Sequence, residues 1–260
     1  MLARYFSNAV SNRYLLPALA PATNDAVSLE FRVRSYLAAN CAQCHQPGGT
    51  GLGLWDARIA TPLSQAGIVG GALNNDGGDP ENRVVAPGSP GHSVMLARIS
   101  TREAGRMPPL DSTVRDPAAM DLLGAWITND LARYQPYADW QTARFGSTNA
   151  PDAAPDADPD ADGANNLLEY LTGTDPMTYG DAWKIDPWRN GESVEISFPQ
   201  VANRGFQVEW APDLNSPASW RPLDVPGNRP FYSATNFTAT LTDVLTNAPL
   251  RFYRVRVFEP

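Results

Sequence analysis

The chain has two cysteines in 260 residues, and both fall in one pentapeptide, Cys41-Ala42-Gln43-Cys44-His45. With no third thiol there is no disulfide framework, so the core must come from side-chain packing. The spacing fits three chemistries: a dithiol redox pair, half of a zinc site, or two covalent anchors followed by an imidazole ligand. A zinc site would need further soft ligands, and the chain has only one other histidine, His92. A dithiol redox motif expects a βαβ setting, whereas Ser28 to Asn40 reads as a helix. Ser28 suits the N-cap, although Glu30 follows two residues later rather than three. Leu29, Val33, Tyr36 and Leu37 then recur on one face.

Cys-x-x-Cys-His is the attachment pattern of haem c. Two thiols reach the two vinyl groups on one porphyrin edge, and the histidine comes to lie under the iron as the proximal ligand. One covalent haem held by Cys41 and Cys44 and ligated by His45 is therefore expected. The sixth ligand is expected from Met107, in the loop Arg106-Met107-Pro108-Pro109-Leu110, where a methionine has no helical face to bury. Met95 and Met120 lie within helical patterns and fit core filling. His92 is the rival ligand. Thioether ligation raises the reduction potential, which suits an electron carrier rather than an enzyme; no catalytic residue is expected. For the haem propionates the candidates are Arg106, Trp55 and Arg58, with Arg83 and Arg98 behind them, because the guanidinium fork matches a carboxylate.

Two more helices are expected in the same region. One starts after Pro87-Gly88-Ser89-Pro90 and runs to about Ser100. The other has Asp116 as N-cap and Pro117 at its first position, and ends near Asp130. Beyond residue 184 the pattern changes to alternation, in Val194–Phe198, Phe206–Trp210 and Phe252–Val257. Turn signals lie at Asp213, Asn215, Pro217, Pro226-Gly227-Asn228 and Asn247–Pro249. The expected fold is multidomain: an N-terminal extension over 1–26, an all-α cytochrome c domain over 27–149, a linker over 150–180, and an all-β sandwich of fibronectin or immunoglobulin type over 181–260.

The linker holds the acidity. The net charge is −8, yet residues 1–150 carry 12 arginines against 12 acids, while residues 151–176 carry seven acids and no base. No basic face is available for nucleic acid, and no apolar run reaches the length of a membrane span. Asp158-Pro-Asp160-Ala-Asp162-Gly163-Ala164-Asn165-Asn166-Leu-Leu-Glu169 fits the D-x-D-x-D-G-x5-E calcium loop. Asp158, Asp160 and Asp162 would supply carboxylates, Ala164 its carbonyl, Asn166 a direct or water-bridged oxygen, and Glu169 a bidentate carboxylate. One structural Ca2+ is expected, with Asp175 as an added contact. Pro151, Pro155 and Pro159 argue against the leading helix of a full EF-hand.

Residues 27–134 resemble a class I cytochrome c domain. Phe31-Arg-Val-Arg-Ser-Tyr-Leu-Ala-Ala-Asn-Cys-Ala-Gln-Cys-His-Gln-Pro-Gly-Gly, Val85-Ala-Pro-Gly-Ser-Pro and Arg106-Met-Pro-Pro-Leu are similar to haem domains attached to secreted bacterial quinone-dependent glucose/sorbosone dehydrogenases. Segment 156–177 is similar to thrombospondin type 3 and dockerin loops. The resemblance implies a monohaem carrier that passes single electrons from a quinone-dependent dehydrogenase partner to a downstream acceptor. The partner's β-propeller has no counterpart in these 260 residues. Alternatives are a C-terminal haem-bearing subunit or fragment of a sugar dehydrogenase, a surface-anchored adhesion protein with a redox domain, and, more weakly, a haem peroxidase. Thioether attachment is performed outside the cytoplasmic membrane in the families resembled, so a periplasmic or extracellular location is expected. No export signal is visible in Met1 to Ala20.

Overall fold

The computed structural model of the chain is described for residues 18–110, 112–214, 219–245 and 250–260. Most of the extension over 1–26, and the turn signals at Asn215, Pro217 and Asn247–Pro249, lie outside the described residues. Helix α1, Leu29–Asn40, starts where the Ser28 hydroxyl accepts the Phe31 amide at 3.3 Å. It buries Val33 and Leu37. A 3-10 turn over Pro90–His92 precedes α2, Val94–Ser100. In α3, Pro117–Ala125, the Asp116 carboxylate caps the Ala119 amide at 3.0 Å. The chain then passes through a π turn, Trp126–Asp130, and a 3-10 turn, Leu131–Arg133. Helix α4, Tyr137–Phe145, has no counterpart in the sequence reading; Gly146 closes it in the left-handed conformation at φ +77°. Helix α5 is Asn166–Thr172.

Six strands follow: β1 Asp186–Asn190, β2 Ser193–Gln200, β3 Gly205–Ala211, β4 Arg221–Pro222, β5 Phe237–Val244 and β6 Phe252–Phe258. They form two antiparallel sheets of three strands, ordered β1-β2-β5 and β4-β3-β6. None of the alternating runs read in the sequence marks strands β1, β4 or β5. In β1 every residue is exposed, β4 has two residues, and β5 has mainly exposed positions, so none shows an apolar alternation.

The expectation of an all-α domain followed by an all-β sandwich does not hold. Helix makes up 26% of the described residues and strand 18%, the latter in two small sheets, which is one mixed fold of modest size. Three observations account for the difference. Much of 41–93 is irregular and is held by isolated bridges, Val69 with Val85 and Arg83 with Ser93, rather than by helix packing. The two sheets have too few and too short strands for an immunoglobulin-like sandwich. The helical and strand-bearing parts are also stitched together. Val27 bridges Ser233, the Ser28 amide donates to the Tyr232 carbonyl at 2.8 Å, and the Ala234 amide donates to the Ala26 carbonyl at 3.0 Å. Phe31 stacks on Tyr232 with ring centres 4.4 Å apart. Alternation and helical periodicity report local conformation, and neither reports bridges across two hundred residues.

Two apolar clusters anchor the whole. One gathers Leu37, Ile68, Val85, Trp126, Ile127 and Leu131 beneath α1 and α3. The other joins Ile196 and Phe198 of one sheet to Phe206 and Val208 of the other, with Leu223. Asn228, 1% exposed, pins the second: its side chain accepts from the Val208 amide (2.7 Å) and donates to the carbonyls of Val208 (2.8 Å) and Leu223 (2.6 Å). The Val208 carbonyl keeps a second partner in the Leu223 amide. The Leu223 carbonyl likewise keeps the Val225 amide at 3.0 Å, so Asn228→Ala leaves the Val208 amide unpaired and buried, at a cost of about 1–3 kcal/mol. A urea titration should show a lower midpoint at unchanged slope; an unchanged midpoint would mean these bonds are replaced.

Candidate functional site

The helical ladder of α1 runs on through Cys41. The Cys41 amide donates to the Leu37 carbonyl at 2.8 Å, and the Cys41 carbonyl accepts from the amides of Cys44 (3.1 Å) and His45 (2.8 Å). This extra turn places two thiols and an imidazole at the C-terminal end of one buried helix. The following loop clamps it: the Gly51 amide donates to the Cys44 carbonyl (2.9 Å), and the Ala57 amide to the His45 carbonyl (2.8 Å). Glycine is required for the first contact, since a Cβ on Gly51 would stand 2.8 Å from the Cys44 carbonyl oxygen and 2.9 Å from His45 Nδ1. The fully buried Arg34 fastens α1 to the same loop by donating to the carbonyls of Arg58 (3.0 Å) and Thr61 (2.5 Å).

Cys41, Cys44, His45 and Met107 all line one cavity of about 470 Å³. Its walls include Tyr36 from α1, Leu52, Trp55 and Leu73 from the loops, the α2 residues Val94, Met95 and Ile99, and Pro108 beside Met107. Met107 is held by its amide, which donates to the Arg98 carbonyl at 2.9 Å. The Trp55 ring stacks on His45, centres 4.1 Å apart and planes 19° from parallel. His45 Nδ1 is buried without a hydrogen-bond partner. Burial, with the Arg98 charge second, lowers the His45 pKa below its ordinary value, so the ring is neutral at pH 7 and free to ligate. Both cysteines are free thiols. Burial and the neighbouring Cys44 push the Cys41 thiol up to about 11, the opposite of what a dithiol exchange centre needs.

The propionate candidates divide. Trp55 lines the cavity, whereas Arg58 and Arg106 do not. Arg58 is engaged with Asp56, its Nε 3.0 Å from both carboxylate oxygens and Nη2 2.7 Å from one; that pairing, aided by Thr61, holds Asp56 well below the usual carboxylate range. Among the described residues, Arg106 donates to the Arg102 carbonyl alone, at 3.4 Å. The arginine at the cavity is Arg98. Val94, Met95, Arg98 and Ile99 share one α2 face, a spacing that could have singled it out. His92 lies outside the cavity lining, beside Asp79 and Glu81.

A second constellation sits at the acidic loop. One carboxylate oxygen each from Asp158, Asp160 and Asp162 lie within 4.8 Å of one another. The loop wraps inward on its own acids: the Asp162 amide donates to Asp158 and Asp160 (3.2 Å each), the Gly163 amide to Asp158 (3.0 Å), and the Ala164 amide to Asp162 (3.0 Å). Gly163 takes φ +98°, the left-handed region glycine permits. Glu169 is wholly buried, and among the described residues neither of its carboxylate oxygens has a hydrogen-bond partner. Burial, then Asp160, Asp162, Asp158 and Asp175 in turn, raises its carboxyl to about 7. Asn166 is buried too: its amide nitrogen donates to the carbonyls of Asp152 (2.7 Å) and Ala154 (2.8 Å), and its Oδ1 is unpartnered. Ala164 is buried at the turn. Asp175 pairs instead with Arg144 at 3.0 Å.

No protein-family model matches the chain, and neither a curated protein nor a solved structure matches it significantly.

The Glu169 environment has a measurable consequence. Its folded pKa of about 7 stands above the 4.5 of an unperturbed carboxyl. Its contribution to stability is full below the lower value and is lost as pH rises through the upper one. In chelator, the wild type should weaken between pH 5 and pH 8, and Glu169→Gln should remove that weakening. At pH 8 the variant should be the more stable by up to about 3 kcal/mol, at about 1.4 kcal/mol per pH unit. Parallel stability profiles of the two proteins against pH would show that Glu169 is compensated in some other way.

Proposed function

We propose that the chain is a monohaem c-type cytochrome that carries single electrons. The observation that carries this reading is the donor set of one cavity: two thiols and an imidazole from a single helical turn, and a thioether from a loop 62 residues later, on apolar walls. The residues fit the group. Cys41 and Cys44 are unpaired, partly buried thiols, and His45 is neutral and held by backbone bonds at both its amide and its carbonyl. Cys41 and Cys44 would anchor a haem through thioethers, with His45 and Met107 as axial ligands. When bound, the haem supplies an iron that gains and loses one electron. The protein's part is to keep both ligands in place and water out, so that little reorganises on electron transfer. Arg98, the cationic side chain among the lining residues, is the fitting partner for a propionate.

Leu52 lines the cavity and is itself 87% exposed, which marks the mouth. Leu54 and Leu110, close in sequence to lining residues, are also largely exposed. Docking of a redox partner would be through this apolar rim rather than through a lysine-rich face, the chain having one lysine, Lys184. The motif likeness supports a quinone-dependent dehydrogenase as donor and a periplasmic or extracellular location. Among the described residues no helix is long and apolar enough to cross a membrane.

The acidic loop is read with it as a structural calcium site. Asp158, Asp160, Asp162, the Ala164 carbonyl, Asn166 and Glu169 would hold one Ca2+, and the buried, unpartnered Glu169 supports this most. The helix that leaves the loop touches both parts of the molecule: the Tyr170 hydroxyl donates to the Gln135 carbonyl (2.8 Å), and Arg204 donates to the Leu171 carbonyl (2.9 Å). Ordering α5 would therefore firm up the junction.

Two outcomes test these readings. The oxidised, matured protein should bind cyanide slowly, and Met107→Ala should speed binding by an order of magnitude or more while the haem stays covalently attached. Fast binding to the wild type, unchanged in the variant, would contradict Met107 ligation. Millimolar calcium should raise the thermal midpoint of the wild type at pH 8 by several degrees, at about 2–4 °C per kcal/mol, and raise that of Glu169→Gln much less, with no change in the haem spectrum. An equal response of both proteins would place calcium elsewhere.

A further inference from the structure

The chain's second histidine does not belong to the cavity. We propose that His92, Asp79 and Glu81 form a surface site for a divalent transition-metal ion of the zinc type, with its fourth position open to water. One ligand atom from each residue lies within 4.8 Å of the others. His92 Nε2 is 3.2 Å from a Glu81 oxygen and 3.6 Å from an Asp79 oxygen. Those spacings suit a shared metal better than a direct bond. Ligands at about 2.0–2.2 Å from a tetrahedral zinc stand about 3.3–3.6 Å from each other. A charge-assisted N–H···O bond would close to about 2.7–2.9 Å.

The scaffold is built in the manner of a metal site. The other ring nitrogen, Nδ1, is 2.8 Å from the Ser89 hydroxyl. An outer hydrogen bond of this kind orients a ligating imidazole and fixes its tautomer. Backbone bonds set the His92 segment against the acidic turn: the Arg83 amide donates to the His92 carbonyl (2.9 Å), and the Val94 amide donates to the Arg83 carbonyl (3.0 Å). Asp79 uses Oδ1 to accept the Glu81 amide at 2.9 Å, and it is Oδ2 that faces His92. The nearest cation in sequence, Arg83, donates to the carbonyls of Pro80 and Asn82 (2.7 Å each). One imidazole with two carboxylates selects zinc, copper or nickel over the hard cation expected at the oxygen-only loop of Asp158–Asp162. The side chains are 37%, 46% and 74% exposed for His92, Asp79 and Glu81, so an ion has free access.

The test is a calorimetric titration of the matured, full-length chain with Zn2+ in millimolar calcium, which occupies the oxygen-only loop. The expected result is one zinc equivalent of micromolar affinity that disappears in His92→Ala and weakens about ten-fold or more in Ser89→Ala, with the visible spectrum unchanged. Were the chain to lack haem, Cys41, Cys44 and His45 could take up a further equivalent, but His92→Ala would leave that one intact. The His92-dependent equivalent thus stands or falls apart from the haem reading. A wild type that takes up no zinc, or a His92→Ala variant that binds as tightly as the wild type, would overturn the proposal and leave His92 as an imidazole paired with two surface acids.

Discussion

The hydrogen bonds that extend α1 past Asn40 are the constraint on which the rest depends. Because the Leu37 carbonyl holds Cys41 and the Cys41 carbonyl holds both Cys44 and His45, three reactive side chains leave one rigid turn in a fixed relation. Everything nearby serves to keep that turn still. Ser28 caps the helix at its start, Val33 and Leu37 bury it, and Arg34 ties it to the 58–61 segment. Gly51 allows the following loop to close on the Cys44 carbonyl. A reactive cluster on a fixed helix end is what the proposed haem would need, since positional error there would disturb both of its anchors and its proximal ligand together.

Legibility in the sequence followed the range of the interaction. The Cys-x-x-Cys-His turn, its helix and the acidic calcium-type loop are local patterns, and the residues quoted for them fall where their spacing implies. Met107 stands out in the sequence for a different reason, since a methionine between an arginine and two prolines has no helical face to fill, and the structure places it in the lining of the same cavity as His45. The propionate candidates were read less well. The guanidinium fork made Arg58, Arg83, Arg98 and Arg106 all candidates, but Asp56 holds Arg58 and the Arg102 carbonyl holds Arg106, while α2 carries Arg98 to the cavity.

The fold was the least legible part, and the residues show why. Helix α4 begins directly after Pro136, and its buried face is largely Trp140 and Gln141, which is not an apolar stripe. Strand β5 turns Asp243 inward, where Arg251 and Tyr253 satisfy it, so its alternation does not read as apolar against polar. The division into an all-α and an all-β part failed at the junction. There Asn203, in the left-handed conformation at φ +59°, donates to the buried Glu30 at 2.8 Å across 173 residues of sequence. Glu30 itself is raised to about 7 by burial, against the pull of Asn203, Arg204 and Arg34. Buried charge at two places, Glu30 at the junction and Glu169 in the acidic loop, is a cost that only tertiary structure reveals. The Glu169 carboxylate has no hydrogen-bond partner among the described residues, and the proposal of a cation in the loop rests on that.

The most direct measurement is the denatured mass of the chain after expression with a cytochrome c maturation system, with peptide mapping of the adduct. Covalent attachment predicts the mass of one haem, surviving acid and organic solvent and located on the peptide that spans Cys41 to His45. A bare polypeptide, or a haem lost on denaturation, would contradict the account at its root.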